Sequence, residues 1–189
     1  MAKGTHTIVD AHSTAIRCEA KVVSVNGQLI VSLPDDASAA LPSRGQVAIT
    51  GTINGQALQT VVEPDGNRGH WIKLDKQLPP LRGLDPGDAV TLELAPTKHW
   101  PEPNVPDDLQ SALDAAPDIA DFWEKITPMA RWEWVRWVRA TKSPATRARR
   151  VEVGISKMRS GKRRPCCFDL SACTDPDLAK SGKLIDPAD

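Results

Sequence analysis

A proline-rich segment divides this chain into two parts with different residue patterns. Pro101, Pro103 and Pro106 fall within six residues, and a run of this kind is incompatible with a helix. Before the segment, apolar and polar residues alternate, which is the period of a strand with one buried face. After it, apolar residues recur at helical spacing. The sequence therefore predicts an α+β protein in which a β domain precedes a helical domain.

The first part carries strong hairpin signals. Asn26-Gly27 and Asn54-Gly55 each separate two alternating segments, and both residue types tolerate the positive φ angles of a two-residue turn. Pro64-Asp65-Gly66 and Asp85-Pro86-Gly87 mark further turns. Six short strands with turns at close intervals are typical of a small barrel or sandwich. We predict a small six-stranded antiparallel β-barrel.

The second part carries helix start signals. Acidic residues open a helix over 107–116, where they favour the positive end of the helix dipole, and another helix is predicted over 118–126. Thr127-Pro128 and Ser143-Pro144 each place an N-cap residue before a proline at the first helical position. Gly161 is predicted to end the last helix. These signals predict a bundle of about four helices.

The same signals set the domain boundaries. We predict a flexible N-terminal tail over 1–13, the β-barrel over 14–97, the connector over 98–106, the helical domain over 107–163 and an irregular tail over 164–189. The N-terminus lacks the apolar core of a signal peptide, and no apolar run approaches the roughly 20 residues that cross a bilayer. These features predict a cytoplasmic protein without a membrane span.

Charge is distributed unevenly along a chain whose formal net charge is zero. The segment 127–165 holds 12 of the 24 Lys and Arg residues and two acids, whereas 101–126 holds seven acids and one lysine. Adjacent blocks of opposite charge favour mutual contact within the fold. The basic segment also suits an anion, a nucleic acid or an acidic partner.

Within the basic segment, Thr146–Arg150 precedes a predicted apolar stripe. Helical spacing places Ala148, Val151, Ile155 and Met158 on this stripe, and Arg147 at its edge. The favoured interpretation is an ion pair between Arg147 and the acidic helices. The alternative is an anion or nucleic-acid phosphate bound by basic residues, since the planar guanidinium contacts two oxygens at once. The candidates are Arg147, Arg149, Arg150 and Lys157.

Three tryptophans, Trp132, Trp134 and Trp137, lie within six residues of the preceding helix. Trp134 and Trp137 are three residues apart and are therefore neighbours on the helix surface. Because the apolar positions surround this helix, packing in the core and between domains is the favoured interpretation. Trp134 and Trp137 are also candidate ligand contacts, since exposed rings beside basic residues would stack on bases.

No sequence motif predicts a catalytic site, a metal site or a cofactor. Cys166, Cys167 and Cys173 lack the paired spacing of a zinc ribbon, so an exposed, unstructured tail is favoured, and Cys18 is predicted to lie in the core. The four histidines are scattered, and the chain lacks a serine elbow, a phosphate loop and a dinucleotide glycine pattern. The sequence therefore favours a protein that is not an enzyme, although a site in an inter-domain cleft stays open.

Two groups of motifs resemble known bacterial domains. Gly51-Thr52-Ile53-Asn54-Gly55 and Gly87-Asp88-Ala89-Val90 are similar to a barrel domain of unknown function. The segments Val105–Leu109, Ala112-Leu113, Trp137-Val138 and Thr146–Arg150 resemble the bacteriocin-protection, YdeI or OmpD-associated family. In that family a lysine often follows directly after the alanine at position 140, but here Thr141 stands between Ala140 and Lys142. The Cys-containing tail also lies outside the common core of the family.

The resemblance implies a fold more directly than an activity, and it brings no catalytic residues. It implies a cytoplasmic binding or stress-tolerance protein that holds a small molecule or protein partner between the barrel and the helical domain. A nucleic-acid-binding module that uses the basic segment is the alternative.

Overall fold

A computed structural model describes residues 15–74, 83–165 and 173–186. The predicted flexible tail over 1–13 lies outside these residues, as do Cys166 and Cys167.

Six antiparallel strands close into a barrel, which confirms the predicted β domain. The strands are β1 (Ile16–Val25), β2 (Gln28–Ser32), β3 (Val47–Ile53), β4 (Gln56–Pro64), β5 (His70–Lys73) and β6 (Ala89–Pro96). Around the barrel they follow the order β1-β2-β5-β4-β3-β6, and β6 pairs with both β1 and β3. A short helix, α1 (Asp35–Ala39), connects β2 to β3.

Local turn chemistry sets the strand register. Asn26 and Asn54 have φ angles of 48° and 50°, and each asparagine is followed by a glycine that also has positive φ, as predicted for the two hairpins. The pairing of β3 with β6 depends on close backbone approach at Gly51, which lies opposite Leu94. A Cβ atom at Gly51 would lie 1.8 Å from the carbonyl oxygen of Glu93. Only glycine therefore fits this position of the ladder.

Both faces are buried at the start of β3 and near the end of β4. Val47, Ile49 and Val62 belong to the apolar cluster that fills the barrel. Ala48 and Glu63, which alternate with these residues and so face outward, are also buried. The outer face of these strands is therefore covered by another part of the chain.

The helical half begins after the connector. Its elements are α2 (Asp107–Asp114), a 3₁₀ turn (Pro117–Ile119), α3 (Ala120–Lys125), α4 (Pro128–Arg139) and α5 (Pro144–Arg159). The hydroxyl of Thr127 accepts a hydrogen bond from the amide of Ala130, and Ser143 caps α5 through the amide of Thr146. Both predicted N-caps are therefore confirmed. None of the helices in the described ranges is long and apolar enough to cross a membrane.

The predicted stripe on α5 is correct at three of its four positions. Val151, Ile155 and Met158 are buried in the helical core, but Ala148 is exposed. The first turns of α5 contact α2 through an ion pair of Arg147 rather than through apolar packing, which leaves Ala148 in solvent. Gly154 is buried instead and lies against the rings of Trp134 and Trp137.

The predicted exposed tail is wrong for residues 173–186. This segment contains a small hairpin of β7 (Ala179–Lys180) and β8 (Lys183–Leu184), and Cys173 is buried. Leu178 is fully buried in a cluster with Ile30 and Trp71 of the barrel. Residues 173–186 are ordered because Leu178 packs on an apolar part of the outer barrel surface. The periodicity of the tail sequence does not reveal this surface.

Candidate functional site

A cleft lies at the junction of the barrel, the connector and α4. Its volume is about 540 Å³. We call it the junction cleft and define it by the described residues that line it, which are Pro42, Ser43, Gln46, Val47, Ala48, Thr97, Lys98, His99, Trp100, Thr127, Pro128 and Met129. The lining therefore comes from the loop before β3, the start of β3, the connector and the first turn of α4.

Hydrogen bonds hold the connector against the barrel. The amide of Thr97 donates to the carbonyl of Ala48 at 2.9 Å, and the side-chain amide of Gln59 donates to the carbonyl of His99 at 3.2 Å. The part of the connector that lines the cleft thus continues from β6 along the barrel surface.

Other bonds hold the connector against α4. The indole N–H of Trp132 donates to the carbonyl of Pro101 at 2.7 Å, and Arg131 pairs with Glu102 at 3.2 Å. A cleft wall that is attached on both sides is already formed before a ligand arrives, which lowers the entropic cost of binding.

A buried ion pair joins the barrel to the helical half behind the cleft. Nη2 of Arg136 on α4 lies 2.7 Å from Oε2 of Glu63 on β4, and the two residues are each 8% exposed. Nε2 of Gln46 donates to the same carboxylate oxygen at 3.0 Å. Gln46 lines the cleft, so this network connects the cleft wall to the domain junction.

Burial dominates the electrostatics of this network. It raises the pKa of the Glu63 carboxyl, and the positive charges of Arg136 and Lys73 oppose the shift without cancelling it. Within the described residues, Nη1 of Arg136 is buried and makes no hydrogen bond. The pair is thus costly to bury, and loss of either partner would leave an uncompensated charge.

A second buried network positions the loop at the edge of the cleft. The ring of His70 contacts the hydroxyl of Ser38 through Nδ1 at 2.6 Å and the carbonyl of Gly45 through Nε2 at 3.0 Å. Because the carbonyl only accepts, Nε2 carries the hydrogen and Nδ1 accepts from Ser38. Burial lowers the pKa of His70. Both side chains are 1% exposed, so the pair is placed to hold Gly45 rather than to meet a substrate.

The structure separates the basic candidate residues into different environments. Arg147 forms a two-point ion pair with Asp108, at 2.5 Å and 2.9 Å, which confirms the predicted contact with the acidic helices. These bonds lower the pKa of the Asp108 carboxyl. Arg149 is exposed on the surface of α5. Arg147 is therefore paired within the chain, whereas Arg149 faces solvent.

The other four candidates lie together, three of them around the ring of Trp137. The guanidinium of Arg150 and the ammonium of Lys157 lie 5.6 Å and 5.5 Å from the ring centre of Trp137. Trp134 meets the same ring edge-on at 5.9 Å. Nη1 of Arg150 also donates to the carbonyl of Trp137 at 2.6 Å. None of the six candidates lines the junction cleft, and their role in binding a ligand stays a prediction.

Much of the basic segment is neutralised within the chain. Six of its basic side chains form ion pairs with carboxylates in the described residues. The pairs are Arg131 with Glu102, Arg136 with Glu63, Lys142 with Asp177, Arg147 with Asp108, Arg159 with Asp118 and Arg164 with Glu133. The local excess of positive charge in the sequence thus overstates the charge that faces solvent.

The two buried networks beside the cleft lack a signal in the sequence. Glu63 and Arg136 are separated by 73 residues, and Ser38 and His70 by 32. The side-chain types alone do not distinguish these residues from other polar residues. In the described part of the chain, no group of three or more His, Cys, Asp or Glu side chains is arranged to hold a metal ion.

Comparisons with known proteins agree with the motifs in the sequence. Residues 102–161 match the family described as bacteriocin-protection, YdeI or OmpD-associated. Residues 19–94 match the domain of unknown function DUF1905, and no curated protein matches the chain. The match to DUF1905 spans most of the barrel, and the other spans α2 to α5. The chain therefore carries a segment that matches DUF1905 in its barrel, followed by a segment that matches the bacteriocin-protection, YdeI or OmpD-associated family in its helical half.

Proposed function

We propose that this protein is a cytoplasmic, non-enzymatic binding or stress-tolerance protein whose ligand or partner is held in the junction cleft. The observation that carries the proposal is the cleft itself, whose volume of about 540 Å³ lies within the range of ligand pockets, roughly 300–1,000 Å³. Ligand pockets concentrate where domains meet, as this one does.

The lining of the cleft suits a small molecule. Val47, Ala48, Pro128 and Met129 provide apolar contact area, and Trp100 adds an aromatic ring. A few polar side chains from the loop before β3 and from the connector lie among them. This mixture is typical of pockets in which burial supplies affinity and a few polar groups supply specificity.

Filling the cleft should weaken the binding of a neutral apolar probe. We expect Nile red to bind the wild-type protein with one saturable site, which is measured by its fluorescence. Met129→Trp introduces a larger side chain at the cleft wall and is expected to reduce the affinity by about tenfold or more. The control is Glu152→Trp, which adds the same ring at an exposed position of α5 away from the lining. Equal affinities in the two variants would exclude the junction cleft as the binding site.

Nucleic-acid binding is the second candidate function. It is supported by the exposed residues Arg149, Lys162 and Arg163, which form no ion pair in the described part of the chain. Phosphate contacts of such residues would make the affinity strongly dependent on salt.

A gel-shift titration tests this alternative. If these exposed residues bind phosphates of DNA or RNA, the double variant Arg149→Ala/Arg163→Ala should weaken binding, and the slope of log affinity against log salt should fall by about two. Absence of a shift for the wild-type protein at low salt would exclude this function.

A further inference from the structure

One wall of the junction cleft carries three consecutive residues with unused hydrogen-bond donors. Lys98, His99 and Trp100 line the cleft. The carbonyl of His99 is bonded to Gln59, but none of the three side chains forms a hydrogen bond or an ion pair with a described residue. Because the connector is attached to the barrel at Thr97, the position of this wall is determined without help from these side chains.

The charge of the lining has one sign. Among the described residues that line the cleft, Lys98 is positively charged and none has a carboxylate. The buried carboxylate behind the wall, Glu63, already accepts from Gln46 and Arg136. The cleft therefore offers a ligand a cation and several donors without an opposing negative charge.

The rest of the lining includes an apolar part. It consists of the start of β3, with Val47 and Ala48, and the first turn of α4, with Pro128 and Met129. A strongly polar ion would lose hydration against these residues without compensation, so the ligand needs an apolar body as well as an acidic group.

We propose that the junction cleft binds a small organic acid, with one carboxylate at Lys98 and His99 and an apolar body between Trp100 and Met129. This inference rests on the proposed function. A singly charged carboxylate matches the single lysine of the lining better than a doubly charged phosphate does, because a second negative charge would be left without a cation.

A matched pair of probes tests whether the ligand of the cleft is a carboxylate. Naphthaleneacetate and naphthaleneacetamide share an apolar body and differ in the charge of one group. By isothermal titration calorimetry we expect the carboxylate to bind about fivefold or more tightly than the carboxamide. In Lys98→Met this preference should disappear, while the affinity for the carboxamide is retained.

The control is Lys162→Met, which removes the charge of an exposed lysine that lies outside the cleft lining. It should leave the preference for the carboxylate unchanged. Lys98 is exposed and unpaired within the described residues, so its replacement is not expected to impair folding, and a thermal denaturation curve checks this.

The outcomes separate this inference from the proposed function. Equal binding of the two probes, or a preference that survives Lys98→Met, would overturn the organic-acid assignment and leave Nile red binding intact. Tighter binding of naphthyl phosphate than of naphthaleneacetate would also overturn the carboxylate assignment. If the wild-type protein also fails to bind Nile red, the proposed function itself is wrong.

Discussion

We expect Arg136→Met to lower the free energy of unfolding by about 3–5 kcal/mol, because it leaves the Glu63 carboxylate buried without its cation. Arg136 and Glu63 are each 8% exposed, and their contact at 2.7 Å joins α4 to the barrel. Urea denaturation followed by tryptophan fluorescence measures the change.

The double variant Glu63→Met/Arg136→Met is the matched control. An apolar pair removes both charges, so we expect it to recover most of the stability lost in the single variant. If the double variant is as unstable as the single one, the loss reflects the packing of Arg136 rather than the uncompensated charge of Glu63.

The stability of the single variant Arg136→Met should depend on pH. Burial already raises the pKa of Glu63, and removing Arg136 removes a charge that opposes this rise. Between the unfolded pKa and the higher folded pKa, the folded state binds more protons, so the free energy of unfolding falls as pH rises. The destabilisation by Arg136→Met should therefore be smaller near about pH 5 than near about pH 8. Equal losses at the two pH values would contradict this explanation.

The second large effect is expected from Gly51→Ala. The added Cβ would lie 1.8 Å from the carbonyl oxygen of Glu93, so β3 and β6 would have to separate where the barrel closes. We expect a loss of about 3 kcal/mol or more in the free energy of unfolding, together with loss of amide protection along β6. Hydrogen exchange measures the second effect.

Gly55→Ala provides the comparison. Gly55 has a φ angle of 75°, but its added Cβ would meet no atom within 4 Å. The expected cost is about 1 kcal/mol from backbone conformation alone. If the two variants are equally stable, steric exclusion at Gly51 does not determine the closure of the barrel.

Local chemistry explains which features were predictable. Asn26-Gly27 and Asn54-Gly55 encode tight hairpins, and Thr127 and Ser143 encode helix starts, because each interaction involves residues close in sequence. The ion pair of Arg147 with the acidic helices was predictable from the charge blocks. The exposure of Ala148 was not predictable from the sequence. Helical periodicity shows which residues share a face, but it does not show how far a neighbouring helix covers that face.

The candidate site depended on long-range contacts. The junction cleft is formed by three separate parts of the chain, and Lys98, His99 and Trp100 belong to a segment whose sequence indicates only a proline-rich connector. The docking of Leu178 on Trp71 likewise joins residues that are far apart in sequence.

The amino-acid sequence by itself determined the order of the two domains, the strand pairing at the hairpins and the starts of α4 and α5, since these depend on turns, caps and periodicity within a few residues. Only the tertiary structure decided which charges are buried and which face a cleft. Glu63 and Arg136 became a buried pair because closure of the barrel and the packing of α4 exclude water from both. Lys98 lies in the cleft without a carboxylate partner among the described lining residues, because the fold brings none to that position.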